Sequence, residues 1–424
     1  MLDLLTQQVA NSVALTDEKV ALAVAQLVDP SVADGIKANF LTALACKGET
    51  TGEIAAFARE LRARSIVPPL DAEIRAGEIL DVCGTGGDRL NTFNISTTVA
   101  LVVASAGVTV AKHGNRAITS QSGSADVLEA LGIPVELSPE QAVASLREHH
   151  FAFFFAPKFH PAFRHIAPAR KLCAGRGQRT IFNFLGPLLN PARPTAQLVG
   201  VPRPELCEPI ARVLQTLGVR RAMVVSGEVA PIRTFPPFDF EPTNRLQMIR
   251  VVDKCGTSRL LPISDAVSLA KQKQAILAEV APNADPPACL LVALSDLERV
   301  GKSDPQKLKR LDELSTLGNN SIAEFYQERG FTTSMLSPEQ FPLQLASLAD
   351  LLGGNSAANA EIIRRLLSAE DRGPKRDAVL LNTAAALFVA GKTKSMLDGW
   401  EMAAELIDSG RAQKKLWALA TNSR

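Results

Sequence analysis

Ile79-Leu80-Asp81-Val82-Cys83-Gly84-Thr85-Gly86-Gly87-Asp88 is the stretch whose reading decides the fold. A short apolar run, Ile79–Cys83, passes into three glycines within four positions, the pattern of a buried strand opening into a loop. Downstream, Ile95–Ala106 reads as a helix with Asn94 available as its cap, Val108–Ala111 as a second strand and Ala125–Leu131 as a second helix. Leu206–Leu217 then reads as a helix and Ala222–Val225 as a strand. Strands alternating with helices predict an α/β domain with a mainly parallel central sheet. Upstream the period differs. Thr16 can cap a helix over Asp17–Val28, a second helical run covers Val32–Cys46, and a third begins near Gly52 after the break at Gly48-Glu49-Thr50-Thr51. These short runs predict a small N-terminal α-helical domain.

Bulk properties narrow the function. A chain of 424 residues exceeds what one hydrophobic core usually serves, so two or three folding units are expected. A net charge of +2 argues against a nucleic-acid or anionic-membrane partner. Six cysteines lie far apart with no Cys-x-x-Cys pair, which argues for reduced thiols in a cytoplasm rather than disulfides or a zinc knuckle. Met1–Leu5 has no basic leader character, and the longest nearly apolar run, Val99–Ala111, falls short of a membrane span.

Chemistry concentrates at two strand-to-helix junctions. Gly84-Thr85-Gly86-Gly87-Asp88 can present successive N–H groups to an anion, phosphate above all; as a sequence it reads equally as a tight turn with an acidic cap. Asn94-Ile95-Ser96-Thr97 opens the following helix with three polar side chains in one turn, more than capping needs, and offers oxygen to a magnesium ion. Lys112-His113-Gly114-Asn115-Arg116 follows the second strand, where ligands of open α/β sheets bind. Lys112 and Arg116 can meet phosphate charge, Arg116 as a bidentate fork; the alternative is a solvated basic turn, the favoured reading for His113 taken by itself. Ser122-Gly123-Ser124-Ala125-Asp126 starts the next helix and offers a further anion site.

Taken together, Gly84–Asp88, Asn94–Thr97, Lys112–Ser120 and Ser122–Glu129 resemble the signature run of the anthranilate phosphoribosyltransferase family. The resemblance extends through Lys47–Thr50, Phe159–Ala162, Ala167–Arg170, Arg179–Leu188, Leu311–Ser315 and Gly353-Gly354-Asn355 onward, including Gly373–Asp377. It implies transfer of the phosphoribosyl group of 5-phosphoribosyl 1-diphosphate to anthranilate, in tryptophan biosynthesis, with both substrates and Mg2+ held in a cleft between the helical and α/β domains. By motif position, the phosphoribosyl diphosphate would be held by Gly84, Gly87, Asp88, Thr92, Asn94, Ile95, Ser96, Thr97, Lys112, His113, Gly114, Asn115, Arg116, Ala117, Ile118, Thr119, Ser120 and Ser124. Gly84, Asn115 and Arg170 would bind anthranilate, with His113, His160 and Gly186 lining its channel. Ser96, Asp312 and Glu313 would ligate magnesium. No enzyme nucleophile is implied. The resemblance also implies a homodimer formed through the N-terminal helices.

Two departures stand out. Residues 228–309 separate the strand at Ala222–Ser226 from the Asp-Glu pair, and they have no counterpart in the family pattern. Within them Pro231, Pro236, Pro237 and Pro242 crowd Phe235, Phe238 and Phe240, followed by an amphipathic run at Ala266–Val280 and an apolar one at Cys289–Leu294. The stretch from Arg170 to Arg179 is also about three residues longer than usual. The expected division is a helical domain at 1–70, an α/β domain at 71–227 continuing at 310–424, and an inserted subdomain at 228–309. The competing readings are a related transferase or nucleoside phosphorylase with another acceptor, and a non-enzymatic relative that binds nucleic acid.

Overall fold

The computed structural model describes residues 1–117, 121–229, 248–252, 258–262, 276–280, 289–292, 309–327 and 329–421. Four helices open the chain: Leu2–Ala10, Asp17–Val28, Asp34–Lys47 and Thr51–Ala63. Thr16 caps the second through the Lys19 amide, and Thr50 with Glu53 forms a capping box at the start of the fourth. The first helix was not anticipated; its signal is the buried trio Leu2, Leu5 and Val9 on one face. Glu53 ties the bundle together. Its fully buried carboxylate accepts from Leu15 N at 2.9 Å, Thr50 N at 2.8 Å and Lys47 Nζ at 2.7 Å.

The larger part of the chain is built on one sheet. Its strands are β1 (Ile79–Gly84), β2 (Thr109–Gly114), β3 (Phe151–Phe155), β4 (Ala196–Gly200) and β5 (Arg221–Val229), joined later by β11 (Asn320–Tyr326) and β12 (Gly330–Leu336). The order is β12-β11-β5-β4-β1-β2-β3, and β10 (Lys309–Leu311) also pairs with β5. All pairs from β5 to β3 are parallel, whereas β11 runs antiparallel to both β5 and β12. Alternating residues on the central strands face two different cores. Leu80, Val82, Leu198 and Val225 pack with helix Ile95–Ser105 and the C-terminal helices Ser356–Leu367, Pro374–Val389, Met396–Asp408 and Arg411–Thr421. Cys83, Val199, Ala222 and Val224 pack with the N-terminal bundle and with helices Ala167–Gly175 and Cys207–Thr216. Among the described residues no helix is long and apolar enough to cross a membrane.

Residues Ala230–Lys309 form a separate compact unit. Its described part is an antiparallel sheet of order β7-β6-β8-β9, from β6 (Met248–Val252), β7 (Ser258–Pro262), β8 (Ile276–Val280) and β9 (Cys289–Val292). The last five residues of the amphipathic run are thus a strand, while 266–275 and the Pro- and Phe-rich stretch lie outside the described residues. Both neighbouring ends belong to the main unit. Glu228 N donates to Asn319 O at 2.9 Å, and Arg310 lies 3.9 Å from the Glu228 carboxylate.

Glu53→Ala would leave the Lys47 ammonium with Gly48 O alone and take the acceptor from the buried Leu15 amide and the half-buried Thr50 amide, and is expected to cost about 2 kcal/mol. A urea titration followed by helical circular dichroism reads this directly.

Candidate active site

Strand β1 delivers the glycine loop to the carboxyl edge of the sheet. Gly86 and Gly87 take φ of +75° and +91°, a conformation that favours glycine and turns the loop's backbone outward. Thr85 N bonds Gly200 O at 2.9 Å, and Gly86 N donates to Asp312 Oδ2 at 2.7 Å. The Asp312-Glu313 segment is therefore laid directly on the glycine loop, although 226 positions separate Gly86 from Asp312 in the chain. Three glycines at or near the ends of β1, β4 and β5 make room for it. A Cβ at Gly84 would overlap the Asp312 carboxylate, at Gly200 the Asp312 carbonyl, and at Gly227 the Glu313 carbonyl. Gly200 and Gly227 were missed from the sequence; their signal is a glycine following the strand-like runs Gln197-Leu198-Val199 and Val224-Val225-Ser226, Gly200 closing β4 and Gly227 lying two residues before the end of β5.

Ser96 turns its amide and hydroxyl toward the Glu313 carboxylate, and Asp88 lies beside Asp312. Burial first of all, with repulsion from Asp88 and, for Asp312, from Glu313, holds both protons on more tightly than usual: Asp312 well above its ordinary range, Glu313 up to about 7 against the pull of Lys112. Half-buried carboxylates and one hydroxyl form a hard oxygen donor set that fits magnesium. Among the described residues no group of three His, Cys, Asp or Glu side chains is spaced as a closed metal cage. An open site completed by water and ligand oxygens matches that arrangement.

Asn94 occupies the N-cap position of helix Ile95–Ser105, yet its side chain does not cap it. Its amide spans two other elements instead, donating to Ser122 O at 3.2 Å and accepting from Asn359 Nδ2 at 2.8 Å. Thr97 is buried behind it, and Thr92 bridges to Leu352. Lys112 is not part of a solvated turn. It is 2% exposed, with Nζ donating to Val82 O at 2.7 Å and facing Ser96 Oγ at 3.4 Å. Below it Asp81, fully buried, accepts from Asn190 Nδ2 at 2.9 Å and His113 N at 3.3 Å; burial raises its pKa to about 6 against the pull of Lys112.

Two expected anion contacts are already engaged by the chain itself. The Arg116 fork lies on Glu129, with Nη1 and Nη2 at 2.6 and 2.7 Å from its two oxygens. At the start of helix Ser124–Ala130, Gly123 N and Ala117 N both donate to Asp126 Oδ2 at 2.9 Å, while Ser124 Oγ faces Asn115 O at 3.3 Å. Gly114 closes β2 beneath Ser124, and Asn115 is exposed at the cleft side of that strand end. Ile118, Thr119 and Ser120 lie outside the described residues.

On the side of the helical bundle, the Arg170 guanidinium stands 5.2 Å over the Phe182 ring. His113 and His160 meet edge-to-face at 5.2 Å, and burial first of all pushes their pKa values down to about 3 and about 4. Both rings are neutral at pH 7.

Known proteins carry the same organisation. The description "glycosyl transferase family, a/b domain" matches residues 76–234 and 297–413, and "glycosyl transferase family, helical bundle domain" matches residues 4–65. The anthranilate phosphoribosyltransferase of Petrotoga mobilis is 37% identical over 410 residues, covering 97% of this chain and 93% of its own. The chain belongs to the anthranilate phosphoribosyltransferase family. A second member, from Lacticaseibacillus casei, is also 37% identical over 97% of this chain and 94% of its own. The crystal structure of anthranilate phosphoribosyltransferase from Thermus thermophilus matches with a TM-score of 0.72 at 33% identity, covering 99% of both chains. The Saccharomyces cerevisiae enzyme, solved in complex with PRPP and Mg, shares the fold with a TM-score of 0.70 at 23% identity over 100% of this chain and 97% of its own. As in the family, a helical domain accompanies a larger α/β domain with a mainly parallel sheet. The a/b description leaves residues 235–296 between its two matched stretches.

Gly200→Ala would force the Asp312 carbonyl off the β4 terminus, and is expected to lower kcat/KM at least about tenfold, the equivalent of 1.4 kcal/mol, with a near-native far-ultraviolet spectrum. Steady-state rates at saturating magnesium check it.

Proposed function

We propose that the chain transfers the phosphoribosyl group of 5-phosphoribosyl 1-diphosphate to the amino group of anthranilate, giving N-(5-phosphoribosyl)anthranilate and diphosphate. The observation that carries this reading is the seat of Asp312-Glu313 against the Gly84–Asp88 loop and Ser96: exposed loop amides, hard oxygen ligands and a buried ammonium share one strand edge. Membership of the family supplies the acceptor. Anthranilate consumption, followed by its fluorescence with the diphosphate sugar present and absent, tests the whole proposal.

With the Thr85 and Gly86 amides already bonded to Gly200 O and Asp312 Oδ2, the glycine loop would meet the diphosphate at Gly87 and Asp88 beside the helix mouth at Asn94–Thr97, while Lys112, from beneath, offsets part of the surrounding carboxylate charge. Magnesium held by Ser96, Asp312 and Glu313 would share the charge of the departing diphosphate. Arg116 would leave Glu129 for a phosphate oxygen. Its present pairing is largely solvent-exposed and screened by water and salt, so the exchange is inexpensive. Arg170 would anchor the carboxylate of anthranilate, with Gly84 and Asn115 completing that site. Neutral His113 and His160 give its channel walls without a competing positive charge. The arylamine nitrogen attacks the anomeric carbon as the C–O bond to diphosphate breaks, and the amine then loses its proton. No side chain needs to form a bond to the sugar; positioning across the cleft and charge stabilisation carry the rate.

We further propose that the protein works in the cytoplasm, where Cys46, Cys83, Cys173 and Cys207 remain free thiols, and that it pairs as a homodimer through the N-terminal helices. The exposed Leu4, Val13 and Leu22 of that region support the pairing. The working division remains a helical domain at 1–70, α/β segments at 71–227 and 310–424, and an insertion at 228–309.

Replacing Asp312 by Asn together with Glu313 by Gln should raise the magnesium concentration for half-maximal rate and slow turnover; unchanged magnesium titrations would remove both residues from the metal. In the unmodified chain the folded-state pKa of Glu313 is raised, so protons bind it as pH falls through about 7. They then compete with the cation, and the magnesium requirement should climb toward about tenfold per pH unit below 7. Titrations at pH 6 and 8 read this. Arg170→Ala should raise the KM for anthranilate by about ten- to a hundredfold, the range of a lost charged hydrogen bond, with the KM for the sugar diphosphate largely kept.

A further inference from the structure

The short turn Gly186–Leu189 is held in an unusual way. Its final carbonyls have no partners within so short a helix, and each of its four oxygens meets a side chain from a different part of the chain. His113 Nδ1, from the end of β2, lies 3.2 Å from Gly186 O. Gln197 Nε2, from β4, donates to Pro187 O at 3.0 Å. Arg62 Nε, from helix Thr51–Ala63 of the N-terminal bundle, donates to Leu188 O. His160 faces the Leu189 carbonyl. All four side chains are more than nine-tenths buried, with exposures of 8%, 0%, 8% and 2% in that order.

Packing alone does not account for this choice of residues. Each of the four also carries a second buried polar atom with no protein partner: His113 Nε2, Gln197 Oε1, Arg62 Nη2 and His160 Nε2. Such a group costs about 1–3 kcal/mol, and apolar side chains would have filled the same volume without that penalty. What the four polar heads secure is the depth and tilt of the turn. The turn is the direct continuation of helix Phe182–Leu185. Phe182 lies under the Arg170 guanidinium, and Phe163 joins Phe182, edge-on at 5.8 Å, to His160 at 5.2 Å. A shift of the turn therefore moves the platform on which Arg170 rests.

We propose that Arg62 and Gln197 are positioning residues for the aromatic acid, acting through the Gly186–Leu189 turn and Phe182 to fix the Arg170 guanidinium. This rests on the assignment of Arg170 to the carboxylate of anthranilate. It also makes the acceptor site depend on the helical bundle, since Arg62 reaches the turn from there.

The test compares the unmodified full chain with Gln197→Met, Arg62→Met and Arg62→Lys, varying anthranilate and 5-phosphoribosyl 1-diphosphate separately. Gln197→Met and Arg62→Met should each raise the KM for anthranilate by about five- to tenfold, the equivalent of one neutral or charged hydrogen bond. The KM for the sugar diphosphate should stay within about twofold in both. Arg62→Lys, which keeps a donor for Leu188 O, should recover most of the loss. Equal rises in both KM values, or an unchanged anthranilate KM in variants that melt like the parent, overturns the proposal. If Arg62→Met does not fold, Gln197→Met and Arg62→Lys decide alone: an unchanged anthranilate KM in the former, or a tenfold rise in the latter, is a negative result. An unmodified chain that consumes no anthranilate brings down the underlying assignment instead, an outcome separate from unchanged variants of an active enzyme.

Discussion

The carbonyl of Asp312 lies so close over the Cα of Gly200 that no side chain fits between them, and the same segment skims Gly84 at the end of β1 and Gly227 near the end of β5, the two strands flanking β4. The candidate site is a consequence of this contact. A parallel sheet ends in a row of outward-pointing carbonyls and loops, and only glycine at β1, β4 and β5 lets a second backbone settle across that row. With the segment in place, a glycine-rich loop, a helix mouth and two carboxylates from distant parts of the chain share one crease. Without it they would be three unrelated surface features.

Charge inside the crease is balanced vertically. Asp81 at the bottom is fully buried and tied to Asn190 and the His113 amide; Lys112 lies above it; Glu313 and Asp312 form the rim. The ammonium of Lys112 thus stands between a buried carboxylate and the rim pair, lowering the proton affinity of both Asp81 and Glu313. A buried ion of either sign is costly when alone. Here three carboxylates face one ammonium, and the unbalanced negative charge sits at the top, on Asp312 and Glu313.

Much of this organisation was legible in the residues. The glycine run after Ile79–Cys83 marked the first strand and its loop, because glycine with an apolar run before it has few other meanings. Thr16 and Thr50 marked helix starts because their hydroxyls cap them. What local reading could not reach were choices made by tertiary partners. Asn94 looked like a cap, but Asn359 and Ser122 outcompete the helix for its amide. Lys112 read as a cation for phosphate with a solvated turn as the alternative; the sheet register places it inside. Arg116 has the right fork for phosphate and presents it to Glu129. Asp312 and Glu313 read as an ordinary acidic pair; only the family pattern singled them out, since nothing near them in the sequence announces Gly84, Gly200 and Gly227 as their seat.

The junction at Glu228 and Arg310 has an implication for how such enzymes vary. Strand β5 and the segment after it are already stapled by the Asn319 carbonyl and the β10 pairing, so the two ends meet whatever hangs from them. Closing a longer excursion from a fixed doorway adds only about 0.6 kcal/mol for each doubling of its length. That makes the doorway a natural socket: evolution, or a protein engineer seeking a place to mount a sensor or tether, can lengthen the chain there while the candidate crease a few residues away keeps its shape.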